Sequence, residues 1–386
     1  MVRTAFVASY PPRQCSIARF THNLASAVGG REIVALYSAD DPKPSPLEVH
    51  HRIRTDEPED FVRTARSLRD CSDIAAIQHD FDVWGAQDGR SVLEFVAALD
   101  VPAVATLHSV PGLPDRREHD VLAELVRAVS VSVVTSRAAA TLLQEAYGAD
   151  PRRVEVIAHG VPELPLVDAA TVKPAMGLAG RDVLLSFGQL GPDKGWELAI
   201  SALPRIVEAH PAVTYVMVGA THPDVLRRDG EAYRESLVAL AGDLGMTDHV
   251  LFVDRFVGRV ELTRWLEAAD LVIAPSTDPA RSATGTLAYA MAAGRAVVST
   301  PFIPAEELLA DGRGVIVAPG SPAAIAAAAM CLLADAGARA AMGRRAHEHS
   351  RPRTWWNVAA QYRELFGRVV AEHVSGRTSL TGSLRA

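Results

Sequence analysis

Short apolar runs recur along the chain and alternate with stretches whose apolar positions repeat at helical spacing. Met twice over, that alternation predicts an α/β protein with two parallel sheets flanked by helices. In the first half the predicted strands are "TAFVAS", "EIVALY", "IAAIQH", "AVATL", "SVSVVTS" and "VEVIAH". In the second they are "VLLSFG", "TYVMVG", "HVLFVD", "LVIAPS", "AVVST" and "GVIVAP". Helical periods separate most of them, as over residues 17–28 and 91–99. Between the halves, "VPELPLVDAATVKPAMGLAG" carries three prolines and no clear period. It predicts a linker over residues 166–180, between domains at 1–165 and 181–352. The halves are alike in pattern only, with no visible sequence repeat.

After the second half, "TWWNVAAQYRELFGRVV" predicts an amphipathic helix within residues 353–374. Trp355, Val358, Tyr362, Leu365 and Phe366 share one side, which must pack against a domain surface. Residues 375–386 are expected to be disordered.

Composition narrows the class without changing it. At 386 residues the chain exceeds what one compact core organises. Hydrophobic residues at 48% and charged residues at 22% fit a soluble globular protein. A formal charge of -7 argues against a nucleic-acid partner, which calls for a concentrated basic face. Cys15, Cys71 and Cys331 are far apart and form no CxxC pair, which predicts neither a disulfide framework nor structural zinc. "MVRTAFVASYPP" lacks the apolar core of a signal peptide, and "AAIAAAAMCLL" is too short to span a bilayer. A cytoplasmic location is expected. The row Arg63, Arg66 and Arg69 reads as a solvated helical face, so membrane contact is at most peripheral.

Candidate chemistry centres on "LLSFGQLGPDKGWELAI". A strand, a glycine-rich turn and a helix in succession present unpaired N–H groups and a partial positive charge, which favour phosphate. Gly188 and Gly195 permit tight turns and close approach, and Lys194 supplies a point charge. The spacing matches neither a P-loop nor a dinucleotide fingerprint, so taken alone a plain turn with a solvated lysine remains an equal reading.

In its wider setting this stretch resembles the "GR-L-x-x-x-KG" loop of retaining glycosyltransferases with the GT-B fold, in the group 1 and family 4 class. "VEVIAHGV", "AADLVIAPS", "YAMAAGRAVVST", "EELLADGRGVIVAPGS" and the final helix follow in that family's order. The resemblance implies two Rossmann-like domains facing a central cleft, with a last helix crossing back to the first. It implies a nucleotide sugar as donor substrate, no cofactor and no metal, and a carbohydrate or other hydroxyl acceptor.

It also assigns residues. Gly188, Gln189, Lys194 and Gly195 fall on the donor-phosphate loop, with Gln189 where relatives carry arginine. From the residues themselves, "SATGTLAYA" offers hydroxyls and a glycine ahead of a helix, so Ser282, Gly285, Thr286 and Leu287 read as a second anion-binding loop. Arg281 either replaces the charge lost at Gln189 or is a solvated loop arginine. The family's paired glutamates are missing, the second position being Tyr289. Asp254, Arg255 and Phe256 fall in the region that meets the base. On the acceptor side the resemblance places Ser16 where relatives carry a glycine. Apart from the resemblance, His79, Asp80 and Trp84 in "IQHDFDVWGAQDG" combine a carboxylate and an aromatic face as a sugar-binding loop would, with a plain capped loop as an equal reading. His108, ending "ATLH", is the catalytic candidate, positioning a sugar hydroxyl or polarising the acceptor. With the arginine and glutamates absent, a sugar 1-phosphate phosphorylase and a weakly catalytic sugar-binding partner stand as alternatives.

Overall fold

The computed structural model describes residues 2–30, 32–38, 46–85, 89–280 and 285–383. The chain divides into two compact units, one comprising residues up to Gly160 with those from Arg353 onward, the other Val161–Pro352.

The first unit is built on a seven-stranded parallel sheet. Its strands are β1 (Thr4–Ser9), β2 (Glu32–Tyr37), β3 (Val49–Arg54), β4 (Ile74–His79), β5 (Ala103–Leu107), β6 (Val131–Val134) and β7 (Val154–Val156). They run in the order β3-β2-β1-β4-β5-β6-β7. β1, β4 and β5 are buried at every position, as expected of strands covered by helices on both faces. The edge strand β3, "VHHRIR", escapes sequence reasoning because only Ile53 in it is fully buried. The final helix, Trp355–Ser383, belongs to this unit and continues past the end expected at residue 374. Its predicted stripe is the one that packs. Val358, Tyr362, Leu365 and Phe366 join Phe6, Phe20 and Val133 in the core, and Tyr362 shares a 2.9 Å hydrogen bond with Thr106.

The second unit repeats the scheme with β8 (Asp182–Phe187), β9 (Val213–Val218), β10 (Val250–Val253), β11 (Leu271–Ala274), β12 (Ala296–Ser299) and β13 (Val315–Ile316). All pair in parallel in the order β10-β9-β8-β11-β12-β13. Residues 166–180, expected as a linker, fold into this unit. They hold a helical turn, Ala169–Val172, and place Leu178 in the core. Lys173 Nζ lies 2.5 Å from Asp270 Oδ2, both side chains only 9% exposed. Arg295 donates to Val167 O at 2.5 Å and to Ala269 O at 3.0 Å, fastening the same segment. Among the described residues, no single helix is long and apolar enough to cross a membrane.

Candidate functional site

In a doubly wound sheet, ligands enter where the strand order reverses, at the carboxyl ends of the strands. In the second unit that point lies between β8 and β11. β8 runs into Gly188, at φ 129°, whose N–H donates to Val218 O at 3.0 Å. Gly219 leaves β9 at φ 153°, and a Cβ there would stand 1.7 Å from Gly188 O. A Cβ on Gly188 would in turn lie 4.0 Å from Thr286 Oγ1, in the helix Gly285–Ala292. Two glycine loops and a helix N-terminus therefore converge, with main chain where side chains would otherwise stand. The Gly219 N–H is taken too, by Val253 O at 3.1 Å, so it is the positive helix end at Gly285 that suits an anion here.

Lys194 ends the turn Pro192–Lys194, and Gly195 follows at φ 63°. Thr277 N donates to Asp193 O at 3.1 Å and Thr277 Oγ1 to Pro192 O at 3.0 Å, so the loop after β11 braces this turn. The Lys194 ammonium pairs with the adjacent Asp193 carboxylate. A phosphate at this lysine must compete with that carboxylate, which sequence reasoning did not foresee. Gln189 is half-buried beside exposed Gly188.

Other assignments change. Tyr289, at the position of the relatives' second glutamate, is 7% exposed and packs in the core with Leu287. It faces inward because the helix Gly285–Ala292 is almost wholly apolar and buries most of its surface. Asp254 is paired with Arg234 at 3.2 Å and Arg255 with Glu261, so both are engaged within the protein. Phe256 is half-buried. Arg281 and Ser282 lie outside the described residues.

In the first unit the order reverses between β1 and β4. Ser16 is exposed at the start of the helix Ser16–Val28, which Cys15 caps by accepting from Ala18 N at 3.3 Å. Asp80 follows β4 and accepts from Ser109 Oγ at 3.2 Å. His108 follows β5, its N–H donating to His79 O at 2.9 Å and its ring set edge-on to Phe20. Ser16, Asp80 and His108 thus follow the carboxyl ends of three neighbouring central strands.

Trp84 and His79 do not belong with them. Trp84 is fully buried between Phe61 and Phe95 and donates to Gln78 O at 2.9 Å, so it offers no face to a sugar. His79 ends β4 pointing into the interior, fully buried, with neither ring nitrogen hydrogen-bonded. Burial alone pushes it down to about 3. Gln78, absent from the sequence reading, proves to be the residue that holds His108, its Oε1 lying 3.0 Å from Nε2. With Nε2 donating there, Nδ1 is the ring's acceptor (the tautomer follows from the network). Burial, reinforced by His159 and then His79, pushes His108 down to about 3, so the ring is neutral and acts as a hydrogen-bonding group, not an acid.

His79 makes the first unit acid-sensitive. Neutral when folded, it takes a proton near pH 6.5 once unfolded. Its contribution to stability is full above that pH and is lost as pH falls toward about 3, by up to about 1.4 kcal/mol per pH unit. We expect the melting temperature to fall between pH 6.5 and 4, and the fall to be shallower in His79→Leu. Parallel curves would refute this burial.

Comparison with known proteins completes the picture. Residues 17–163 match the family described as Glycosyltransferase Family 4, and residues 181–335 that described as Glycosyl transferases group 1. The chain is 31% identical over 277 residues to a D-inositol 3-phosphate glycosyltransferase of Salinispora tropica, covering 66% of this chain and 54% of that one. It is 30% identical over 293 residues to the protein so named in Kribbella flavida, covering 70% and 68%. In solved structures its fold matches Anabaena Alr3699/HepE in complex with UDP, with a TM-score of 0.76 at 18% identity over 95% of this chain and all of that one. Two family matches in order, two doubly wound parallel sheets and a final helix returning to the first unit all agree: the chain belongs to the group 1, family 4-like glycosyltransferases.

Proposed function

We propose that this protein transfers a hexose from a nucleotide-activated sugar to a hydroxyl acceptor, retaining the anomeric configuration and using no metal ion. The observation that carries this reading is the meeting of Gly188 and Gly219 with Thr286, at the start of the helix Gly285–Ala292, on the carboxyl side of the sheet from which the Lys194 turn also leaves. Breaking the bond from sugar to phosphate leaves positive charge on the sugar and negative charge on the departing diphosphate. Preorganised donors aimed at that negative charge lower the barrier. Lys194 and the amides near Gly285 supply them, and neutral His108, fixed by Gln78, offers Nδ1 to a sugar or acceptor hydroxyl. The UDP bound in Alr3699/HepE supports a nucleotide donor, and the names of the D-inositol 3-phosphate glycosyltransferases support glycosyl transfer.

The phosphorylase reading retains one support: Tyr289, in place of the relatives' second glutamate, is buried and offers no carboxylate to a ribose. A thermal-shift screen separates the two. Nucleoside diphosphates should raise the melting temperature of the wild type by mass action. Lys194→Ala, by removing a charged hydrogen-bond donor worth about 1.5–3 kcal/mol, should weaken that binding roughly 10- to 100-fold. A response to hexose 1-phosphates alone would select the phosphorylase, and no response to either would refute both. NMR of the product anomer, with chelator present, tests retention and metal independence.

A further inference from the structure

The amino-terminal ends of the first unit's strands, at the other end of the sheet from Ser16 and His108, carry a cluster that glycosyl transfer does not use. Glu32 opens β2, His50 and His51 lie in β3, and Cys71 ends the helix Pro58–Cys71. The pairing of β2 with β3 is irregular: Ile33 stands opposite Val49, and Val34 opposite His51. His50 is therefore an extra residue, and such a bulge re-aims the side chains around it. In consequence His50 Nδ1 and His51 Nε2 both approach Glu32 Oε2, at 3.8 and 3.9 Å. Cys71 Sγ stands 4.0 Å from His51 Nε2. Ligand atoms of Glu32, His51 and Cys71 all lie within 4.8 Å of one another.

We propose that Glu32, His51 and Cys71 bind a zinc(II) ion, with a water as fourth ligand. Thiolate, imidazole and carboxylate together suit a borderline-soft dication, whereas magnesium and calcium prefer oxygen alone. Tetrahedral zinc at about 2.0–2.3 Å from each ligand needs the ligand atoms roughly 3.3–3.8 Å apart. To reach that spacing the part-exposed side chains need draw together by a few tenths of an ångström at His51, and Glu32 and Cys71 by at most about 1–1.5 Å. The carboxylate and thiolate balance the dication, the thiol releasing its proton to solvent as the metal binds. Cys71 also sits at the negative end of a fourteen-residue helix, which favours a cation. The neighbouring Arg3 guanidinium is held by Asp73, at 3.1 and 2.7 Å, and does not occupy the cluster. Bound there, zinc would fasten the edge strand β3 to the helix that follows it.

The test uses the full chain, stripped of metal and titrated with zinc against a colorimetric chelator. One equivalent should bind, and cobalt should give the thiolate charge-transfer band. His51→Ala and Cys71→Ser should each weaken zinc more than about tenfold, and Cys71→Ser should abolish the band. Cys331→Ser, whose thiol is exposed elsewhere, should leave both unchanged. Zinc should also raise the melting temperature of the wild type and not of the double variant His51→Ala, Cys71→Ser. Less than one equivalent in the wild type, or unchanged affinity in the double variant, overturns the proposal.

Discussion

Lys173→Met is expected to destabilise the second unit by about 3 kcal/mol, the lower end of the cost of breaking a buried ion pair. The Lys173 ammonium lies 2.5 Å from Asp270 Oδ2, an oxygen that also accepts from Val183 N at 2.6 Å. Removing the lysine leaves a buried carboxylate with one amide and with Arg339, whose Nη2 is 4.0 Å from Oδ1. That residual arginine keeps the cost toward the low end. In a unit of this size each kcal/mol moves the melting temperature by about 2–4 °C, so a fall of roughly 6–12 °C should appear in calorimetry. Adding Asp270→Asn should recover more than half of it, because the amide oxygen still serves Val183 N while the unpaired charge is gone. A melting temperature unmoved by Lys173→Met would mean that residues 166–180 are not docked as described.

The second large effect is expected from Gly195→Ala. At φ 63° a Cβ would stand 1.8 Å from Pro275 O and 2.9 Å from Thr277 Cγ2. Backbone cannot yield as a flexible side chain can, so the turn carrying Lys194 must leave the loop after β11. The clash costs about 1–3 kcal/mol and the left-handed backbone about 1–2 more. Donor binding should be lost with it, because the displaced turn carries the lysine. Gly177→Ala is the control: its φ is 72°, but nothing lies within 4 Å of the added Cβ. It should show the backbone cost alone, with nucleotide binding intact. If both variants melt and bind alike, the Lys194 turn does not rest on the Pro275 loop.

The glycines of the Lys194 turn were legible because a strand, a tight turn and a helix lie together in sequence. Their partners were not. Gly219 follows an apolar strand as Gly188 does, a signal open to reading, yet nothing local says that the two backbones touch. Trp84 and His79 were misplaced for a related reason. A loop after a strand suggests exposure, but the direction of each side chain depends on what the neighbouring helices leave room for. Here Phe61 and Phe95 enclose the tryptophan. The Pro-rich segment was misread because its burial comes from Asp270 and Arg295, far along the chain, and not from any period of its own.

By itself, then, the sequence determined every strand but β3, their alternation with helices, the returning amphipathic helix and the family. All of these follow from apolar periodicity and contiguous motifs, which act between near neighbours. Only the tertiary structure decided that Gln78 holds His108, that Asp193 occupies Lys194, and that Glu32, His51 and Cys71 stand together. The first depends on strand order, the second on how the Pro192–Lys194 turn is braced, and the third on one bulge in β3. Local burial preferences fix which face of an element turns inward, but the packing of whole elements selects the residue that it meets there.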